Sequence, residues 1–313
     1  MEAKFIENVV DYLGTEEERY FSNGFKHIYF DYGSLCYCYQ NKLFMGEITP
    51  CHKWSNKKKR HLHLGTVEYI VISSMICEKI LLGEYLLSPE RISSCWISGI
   101  KVKIQSCIDL SESEGIKFCG KLISTERSFL TDDNEYVSFF EIKINNTLIK
   151  MWINHPVLLN ELPCKFYPNI NESNIYYDGY KMRKHLIRNI LLNEKQMSCT
   201  ASIQIENHYF EKLGIGTQYN GLLLTDIVLI SGQLLQVLLF NMEKIDRKKA
   251  NNIWLKQFEV SIRKPNVELD YDARLFLEDV KILSKGNEKW KSIRLKSELG
   301  DISSDIKVVS QIN

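Results

Sequence analysis

The chain has 313 residues, and its 40 lysines and arginines nearly balance its 39 aspartates and glutamates, giving a net charge of +1. This balance makes no general case for nucleic acid as a partner, because phosphate backbones are bound by an excess of cations. The length allows a large core and favours two domains over one. Nine scattered cysteines without a CxxC pair indicate reduced thiols and a cytoplasmic protein, and the amino end lacks the pattern of a signal peptide.

The first part of the chain predicts a short helix followed by strands. Apolar residues recur at helical spacing in residues 4–13, and Gly14 is placed to end that helix. Alternation rich in Tyr, Phe and Cys over residues 26–48 predicts two or three strands. Four consecutive cations at 57–60 predict an exposed loop or, alternatively, a landing site for a phosphate or an acidic carrier protein.

Residues 66–87 predict a long apolar helix that ends before Pro89 and carries one early carboxylate, Glu68. Pro156, Pro163 and Pro168 interrupt regular structure. We therefore expect a linker at 156–195, with a short helix near 180–193. Between the long helix and this linker, strand-like runs lie at about 95–107, 116–130 and 136–153.

A second apolar helix is predicted at 221–240, where thirteen of twenty residues are Leu, Ile, Val or Phe. A helix that is apolar on every side is enclosed by protein or by lipid. Lipid is disfavoured because Asp226, Gln233 and Gln236 lie inside the run and polar groups are costly at bilayer depth. We therefore expect a core helix and no membrane span. A buried, ionised Asp226 must be paired or hydrogen-bonded, either as a structural group near a helix start or as a catalytic group.

The two halves of the chain have the same plan, offset by 158 residues. This shift superposes the carboxylates Glu68 and Asp226, two tryptophans, and the strand segments 116–124 and 274–282. Matched helix, carboxylate, tryptophan and strand positions predict an internal duplication. The strand runs of the second half lie at 197–210 and at about 252–263, 271–283, 288–296 and 304–312.

A leading strand, one wholly apolar helix and several antiparallel strands make up the plan of the hotdog fold, in which a curved sheet wraps a central helix. The chain is therefore predicted to be an α+β double hotdog with its two sheets paired edge to edge. The predicted units are 1–155, with a short helical lead-in, and 196–313, joined by the linker at 156–195. Pairing of the sheets also covers one edge of each, which lowers the hazard of aggregation.

In hotdog enzymes an acyl thioester lies between the two units, and the working acid or base stands at the start of the central helix. The segment 220–226, NGLLLTD, resembles that start in dehydratases and A-factor synthases, with Gly221 matched and Asp226 in the position of the acid. Asn220 replaces the usual proline. His208 would be the preceding histidine of the dehydratases, but its distance of 18 residues from Asp226 is longer than their spacing and argues against a simple dehydratase.

Two further motifs point to a family. One is His63–Glu68, of the form His-Leu-x-Thr-Val-acid. The other, more specific motif is an opening of the form LG…R-F/Y-F…G-F/Y, formed by Leu13, Gly14, Arg19, Tyr20, Phe21, Gly24 and Phe25. In both motifs the chain resembles the AvrD avirulence proteins, enzymes of syringolide synthesis, and the resemblance extends over its full length.

This resemblance implies cytoplasmic synthesis of a small lipid-like signal. A β-ketoacyl group on an acyl carrier protein, or on CoA, would be transferred to a sugar such as xylulose or to a sugar phosphate, and the ester would close to a butenolide. Such an acyltransferase needs no nucleophilic Ser or Cys, because a positioned hydroxyl attacks the thioester directly. No cofactor is implied. His52, His61 and His63 have no fourth ligand at zinc spacing, so no metal is expected. A homodimer of the double unit is left open.

The resemblance also suggests residue roles. Either Glu68 or Asp226 would act as the general base with the other orienting it, and His63 or His208 would exchange a proton with the leaving thiolate or the carbonyl. His61 and His63 each have a structural alternative as satisfied groups near a helix start, as does Gln233, which could be a buried amide bonded to backbone. Substrate contacts would come from polar groups near the two helix starts and the basic loop, namely His208, His61, Thr66, Thr225, Gln233 and Arg60.

Two other functions stay open. One is a hotdog dehydratase or thioesterase that acts on acyl thioesters. The other is a non-catalytic protein that binds an acyl lactone. In that second case, replacing Glu68 or Asp226 by the corresponding amide would leave ligand affinity nearly intact, and no thiol would be released.

Overall fold

A computed structural model describes residues 4–53, 63–106, 115–128, 135–156, 174–209, 211, 213–244, 253–264, 267–285 and 288–312. The helices in these ranges are α1 (Val9–Leu13), α2 (Thr66–Tyr85), α3 (Pro89–Ser94) and α4 (Leu224–Glu243). The strands are β1 (Lys4–Asn8), β2 (Ile28–Cys38), β3 (Leu43–His52), β4 (Trp96–Ile104), β5 (Ile116–Arg127), β6 (Glu135–Ile144), β7 (Thr147–Pro156), β8 (Arg183–Asn193), β9 (Ser198–Asn207), β10 (Ile253–Ser261), β11 (Asp270–Lys285), β12 (Glu288–Leu299) and β13 (Ile302–Ile312).

The described strands form one antiparallel sheet in the order β1-β8-β9-β11-β12-β13-β10-β4-β7-β6-β5-β3-β2. Strands β4 and β10 meet near its middle. Reading outward from this seam, β4-β7-β6-β5-β3-β2 on one side corresponds to β10-β13-β12-β11-β9-β8 on the other. The amino-terminal β1 is an extra strand beyond β8. Each half has one long central helix, so the prediction of an α+β double hotdog is confirmed.

The central helices confirm the predicted duplication residue for residue. Helix α4 (Leu224–Glu243) is helix α2 (Thr66–Tyr85) shifted by 158, and both are followed by a residue in the left-handed conformation, Leu86 and Lys244. The predicted helix boundaries, 66–87 and 221–240, are therefore right to within three residues. The two helices pack against each other and against the sheet, and this packing covers their apolar side chains.

The number of residues that separates equivalent positions of the two halves is different in most strands. Strands β2 and β3 coincide with β8 and β9 after a shift of 155. The bulge of β5 between Leu122 and Ser124 likewise coincides with that of β11 between Leu277 and Asp279. The predicted superposition of 116–124 on 274–282 is therefore wrong. A three-residue error in a strand exchanges its buried and exposed faces.

Two predicted helices are wrong. Residues 4–8 of the predicted helix 4–13 form strand β1, which pairs with β8, and only Val9–Leu13 is helical. The predicted helix near 180–193 is a 3-10 turn, Gly179–Met182, followed by strand β8. In both places pairing with a neighbouring strand outweighs the local pattern. The domain limits stay a prediction, although β8 lies within the segment predicted as a linker.

Within the described ranges, helix α4 alone has the length and hydropathy of a membrane span, and 89% of its apolar window is buried inside the protein. Lipid is not needed to cover it, because the sheet, α1 and α2 enclose it. Polar side chains that are buried on such a helix need hydrogen-bond or ionic partners inside the protein. At the start of α4 they do so in a cluster of charged groups.

Candidate active site

The two central helices begin with the same capping arrangement. Glu68 Oε2 accepts a hydrogen bond from Gly65 N at 2.8 Å, and Asp226 Oδ2 accepts one from Leu223 N at 2.8 Å. A carboxylate in the first turn satisfies an N–H that has no partner within the helix and meets the positive end of the helix dipole. Both predicted carboxylates therefore have a structural role, and their remaining contacts decide what else they can do.

Asp226 is the centre of a buried ionic cluster. Arg183 Nη2 lies 2.9 Å from Asp226 Oδ2, and Arg183 Nε lies 3.1 Å from Oδ1. His185 Nε2 lies 2.8 Å from the same Oδ1. Arg183 Nη2 also donates to Gly221 O at 2.7 Å. The side chains of Arg183 and Asp226 are each 1% exposed, so this is a buried, two-point ion pair with its hydrogen bonds largely satisfied.

The cluster keeps Asp226 ionised at neutral pH. Burial by itself raises the pKa of Asp226, but the positive charge of Arg183, the hydrogen bond and charge of His185, and the Leu223 N–H together outweigh it and lower the pKa to about 2. A carboxylate with so low a pKa is a weak proton acceptor near pH 7. Asp226 is therefore poorly suited to be the general base, which was one of its two predicted roles.

His185 is better suited to that task. Because ionised Asp226 can only accept, His185 Nε2 must be the donor in their 2.8 Å contact. In the neutral ring this leaves Nδ1 as the proton acceptor. A carboxylate that accepts from one ring nitrogen fixes the tautomer and the orientation of an imidazole. The pair can therefore act as a base through His185, with Asp226 in the orienting role.

A cleft with several hydrogen-bonding residues in its lining lies beside this cluster. It has a volume of about 260 Å³, and Arg183, Gly221 and Leu223 form part of its wall. Ligand pockets for drug-sized molecules span roughly 300–1,000 Å³, so this one suits a smaller molecule. Six further side chains that can hydrogen-bond line it, namely Asn207, Tyr209, Glu211, Thr217, Gln218 and Asn220.

The start of α2 has a different environment. The other carboxylate oxygen of Glu68, Oε1, accepts a hydrogen bond from the Tyr20 hydroxyl, and burial together with the Glu68 charge raises the pKa of Tyr20 well above its usual value. At the shift of 155, the residues that correspond to Arg183 and His185 are Ile28 and Phe30, which are buried and apolar. The repeat has thus kept the carboxylate in both units but the arginine and histidine in the second unit alone.

The structure shows other contacts for the two predicted histidines, His63 and His208. The ring of His63 packs on Trp254 of the second unit, with centroids 4.3 Å apart. His208 has 61% of its side chain exposed and lies 3.9 Å from Glu206. The exposure of His208 argues against the proton-exchange role that the resemblance suggested for it, and for His63 that role stays a prediction.

The predicted substrate-binding hydroxyls lie at the two helix starts. Thr66 and Thr225 are buried, and their Oγ1 atoms have no hydrogen-bond partner among the residues that the structure describes. A buried hydroxyl without a partner is costly, so a ligand atom that reached it would restore the lost hydrogen bond. Two other predicted contacts, His61 and Arg60, lie outside the described residues, as does the basic run at 57–60.

Gln233 fastens the amino-terminal segment onto α4. Its Oε1 accepts from Arg19 Nη1 at 2.8 Å and from Ser22 Oγ at 3.0 Å, and its Nε2 donates to Phe21 O at 3.3 Å. The amide is therefore engaged by the protein itself. Arg19 and Phe21 belong to the sequence motif that suggested the family, and this contact gives both a structural reason.

The sequence contained a signal for the missed pair, Arg183 and His185. The turn GFKH at 24–27 recurs as GYKM at 179–182, immediately before them, and both turns are followed by an 11-residue strand. Two residues that alternate on a strand share a face. Aligning these turns would have placed Arg183 and His185 together on the inner face of β8.

The chain belongs to the AvrD family, because the family model described as Pseudomonas avirulence D protein (AvrD) matches residues 4–305. This confirms the resemblance found in the sequence motifs. No curated protein sequence matches the chain significantly.

Several solved structures are similar in fold. The TesB protein of Mycobacterium avium subspecies paratuberculosis has 8% identity and a TM-score of 0.40, covering 90% of this chain and 96% of that chain. A candidate thioesterase from Novosphingobium aromaticivorans has 7% identity and a TM-score of 0.42, with coverage of 90% and 100%. A Mycobacterium tuberculosis protein with a double hotdog fold has 7% identity and a TM-score of 0.42, with coverage of 81% and 83%.

Proposed function

We propose that this protein is an acyltransferase that moves a β-ketoacyl group from a carrier thioester to a hydroxyl of a small sugar such as xylulose, and that the resulting ester closes to a butenolide of the syringolide type. The observation that carries the proposal is the cluster of Arg183, His185 and Asp226 beside a small cleft at the start of α4. Membership of the AvrD family supports the same chemistry.

In the first step, His185 Nδ1 takes the proton of the sugar hydroxyl while the hydroxyl oxygen attacks the thioester carbonyl carbon. The negative charge that develops on the carbonyl oxygen is stabilised by the positive end of α4. The carbon–sulfur bond then breaks, and the leaving thiolate receives the proton from the imidazolium. The products of this step are an ester and a free thiol, and the enzyme returns to its starting state.

The second step forms the ring. The carbon between the two carbonyl groups of the ester loses a proton, which makes it a nucleophile. It attacks the ketone carbon of the sugar, so that a carbon–carbon bond forms and the ketone oxygen becomes a hydroxyl. This hydroxyl leaves as water together with the remaining proton of the attacking carbon, and a ring double bond results. Asp226 orients His185 for both proton transfers.

The size of the cleft and the hydrogen-bonding residues in its lining support a sugar as the acceptor. Its six hydrogen-bonding side chains match a molecule with a hydroxyl on nearly every carbon, because each bound hydroxyl needs a donor or an acceptor in exchange for water. A thioesterase would use water in place of this sugar, and a dehydratase would act on a 3-hydroxyacyl substrate without releasing thiol.

The test measures free thiol from a β-ketoacyl N-acetylcysteamine thioester, with and without xylulose. The enzyme has exposed cysteines, so thiol is measured by mass spectrometry of the released N-acetylcysteamine. We expect release that depends on the sugar, with formation of the ester or its ring product in equal amount. Equal release without sugar would indicate a thioesterase. Binding of the thioester without any release would indicate a non-catalytic protein, and either result would overturn the proposal.

A further inference from the structure

One wall of the cleft is built from a segment of the second unit that is fastened to the first unit. Residues 213–219 lie between β9 and α4 in the chain, and two of them, Thr217 and Gln218, line the cleft. Gln218 N donates to Ser93 O at 3.1 Å, and the Tyr219 hydroxyl donates to Ser94 O at 2.9 Å. Both acceptors belong to α3 of the first unit. The cleft wall is therefore supported by the other half of the molecule.

The strongest of these supports is the carboxylate of Glu78, in the middle of helix α2. Its Oε2 accepts from Ile215 N at 3.1 Å, and its Oε1 accepts from Asn174 Nδ2 at 3.0 Å. Glu78 and Asn174 are both buried. Because charged acceptors form stronger hydrogen bonds than neutral ones in a water-poor interior, Glu78 fixes both partners firmly.

Asn174 transmits this support to the strand that carries the proposed base. Its Oδ1 accepts from Tyr176 N at 2.8 Å and from Tyr177 N at 3.0 Å, and its backbone oxygen accepts from Gly179 N at 3.1 Å. These bonds define the turn that leads directly into β8. Glu78 thus holds two segments at once, namely the cleft wall and the turn before Arg183 and His185.

The backbone at the contact leaves little room for adjustment. Gly214 has φ of +94°, a conformation that other residues adopt only with strain, and a Cβ added there would lie 3.1 Å from Glu78 Oε2. Residues 213–215 therefore approach the carboxylate closely because position 214 has no side chain. This close approach restricts the backbone of residues 213–215 to one geometry.

We propose that the acceptor sugar binds against residues 217–220 and that Glu78 is a positioning residue for this subsite. Acceptor recognition then depends on the first unit, although the proton-transfer groups are in the second. This inference rests on the proposed acyl transfer, and it adds where the sugar lies and what holds its binding wall. Glu78 touches neither substrate, and it acts through Ile215 and Asn174.

The test is Glu78→Gln, with kinetics measured separately for the sugar and the thioester. The glutamine amide would place an NH₂ group against Asn174 Nδ2 or Ile215 N, and Asn174 cannot reverse its own amide because Oδ1 already accepts two N–H groups. We expect the KM for the sugar to rise about tenfold, the effect of losing one buried hydrogen bond. The KM for the thioester should change less than about twofold by the same reasoning.

A paired change restores the hydrogen bond. In Glu78→Gln with Asn174→Asp, the new amide donates to the new carboxylate, and the carboxylate still accepts from Tyr176 and Tyr177. We expect the sugar KM to return to within about threefold of the wild-type value. The matched control is Glu84→Gln on the same helix, because Glu84 pairs with Lys42 and Tyr37 inside the first unit, and it should leave the sugar KM unchanged.

Hydrogen exchange separates this proposal from the proposed function. The backbone amides of Ile215 and Gln218 should exchange faster in Glu78→Gln and recover in the paired variant, whether or not acyl transfer occurs. Unchanged exchange, or an equal rise in both KM values, would overturn the positioning role. Absence of sugar-dependent thiol release in the wild type would instead overturn the acyl transfer and, with it, the sugar subsite.

Discussion

Lys101 and Glu259 face each other at the seam of the double sheet, with Lys101 Nζ 2.6 Å from Glu259 Oε2. The shift of 158 that relates α2 to α4 also relates residue 101 to residue 259, so this pair joins one position of the repeat to its own copy. On either side the register is symmetric, with Ile100 opposite Val260 and Val102 opposite Phe258. In a dimer of identical units this position would face its own charge. Duplication within one chain has allowed the two copies to take opposite charges.

Reversing one charge at the seam should destabilise the fold modestly. Lys101→Glu places two carboxylates directly opposite each other, and like charges in that position are unfavourable. Both side chains are more than a third exposed, so we expect a loss of about 1 kcal/mol in the free energy of unfolding at most. The measurement is urea unfolding at low salt. The exchanged pair, Lys101→Glu with Glu259→Lys, should recover most of the loss, and failure to recover would show that the pair is not coupled.

Removing the proposed base should abolish turnover without unfolding the protein. We expect His185→Asn to lower kcat by roughly 10²–10⁴-fold, the usual contribution of a positioned acid or base. The measurement is sugar-dependent thiol release, with circular dichroism to confirm folding. His208→Asn is the control, since His208 is mostly exposed and should retain wild-type kcat. Full activity in His185→Asn would remove the histidine from the mechanism.

The Asp226 cluster should contribute stability that is lost only in strong acid. The pKa of Asp226 in the folded protein, about 2, lies below its usual value of 3.8, so folding favours the charged carboxylate. This contribution is complete above the usual value and disappears as the pH falls through about 2. Asp226→Asn also leaves Arg183 buried without its counter-ion, so we expect a loss of roughly 3–5 kcal/mol in unfolding free energy at pH 7. Urea unfolding between pH 7 and pH 2 should show the difference from wild type shrinking below pH 4, and a constant difference would contradict the assignment.

A second group, His155, should lower stability in a milder range of pH. Burial lowers the pKa of His155 from 6.5 to about 4, although a hydrogen bond to Pro156 O acts in the opposite direction. Its Nδ1 faces that carbonyl at 3.2 Å and therefore donates, so Nε2 accepts from Ser138 Oγ at 2.9 Å.

Because folding favours the neutral ring, the contribution of His155 is complete above pH 6.5 and is lost as the pH falls towards 4. A shift of this size corresponds to roughly 3 kcal/mol. We expect His155→Asn to flatten the dependence of unfolding free energy on pH between 6.5 and 4. The same slope in the variant and the wild type would show that other groups control this range.

The fold could be predicted largely because its long helices are uniformly apolar. The segments at 66–87 and 221–240 identify the two central helices, and the matched pairs Glu68 with Asp226 and Trp96 with Trp254 fix their shift of 158 residues. The strands were harder to align, because β5 to β7 follow a shift of 155 and a strand pattern repeats every two residues. The burial pattern supports the shift of 155 residues, which pairs buried Ile116 with buried Tyr271. A shift of 158 would pair Ile116 with exposed Arg274.

The site could be predicted only in part. Asp226 was identified because a carboxylate inside an apolar helix demands a partner, but sequence alone did not name that partner. Arg183 and His185 lie 43 and 41 residues away along the chain, in a segment whose three prolines and polar composition suggested a linker. The contact forms because β8 pairs with β9 and lies against α4, and such long-range pairing leaves little trace in a local pattern.

We propose that acyl transfer occurs at the start of α4 and not at the start of α2. The most direct measurement is a crystal structure with a β-ketoacyl thioether analogue, in which the reactive carbonyl is kept and the sulfur cannot leave. We predict that the analogue's carbonyl carbon lies beside His185 Nδ1, with space between them for the hydroxyl of the sugar, and that its carbonyl oxygen faces the start of α4. An analogue bound beside Glu68 and Tyr20, or away from both helix starts, would contradict the claim.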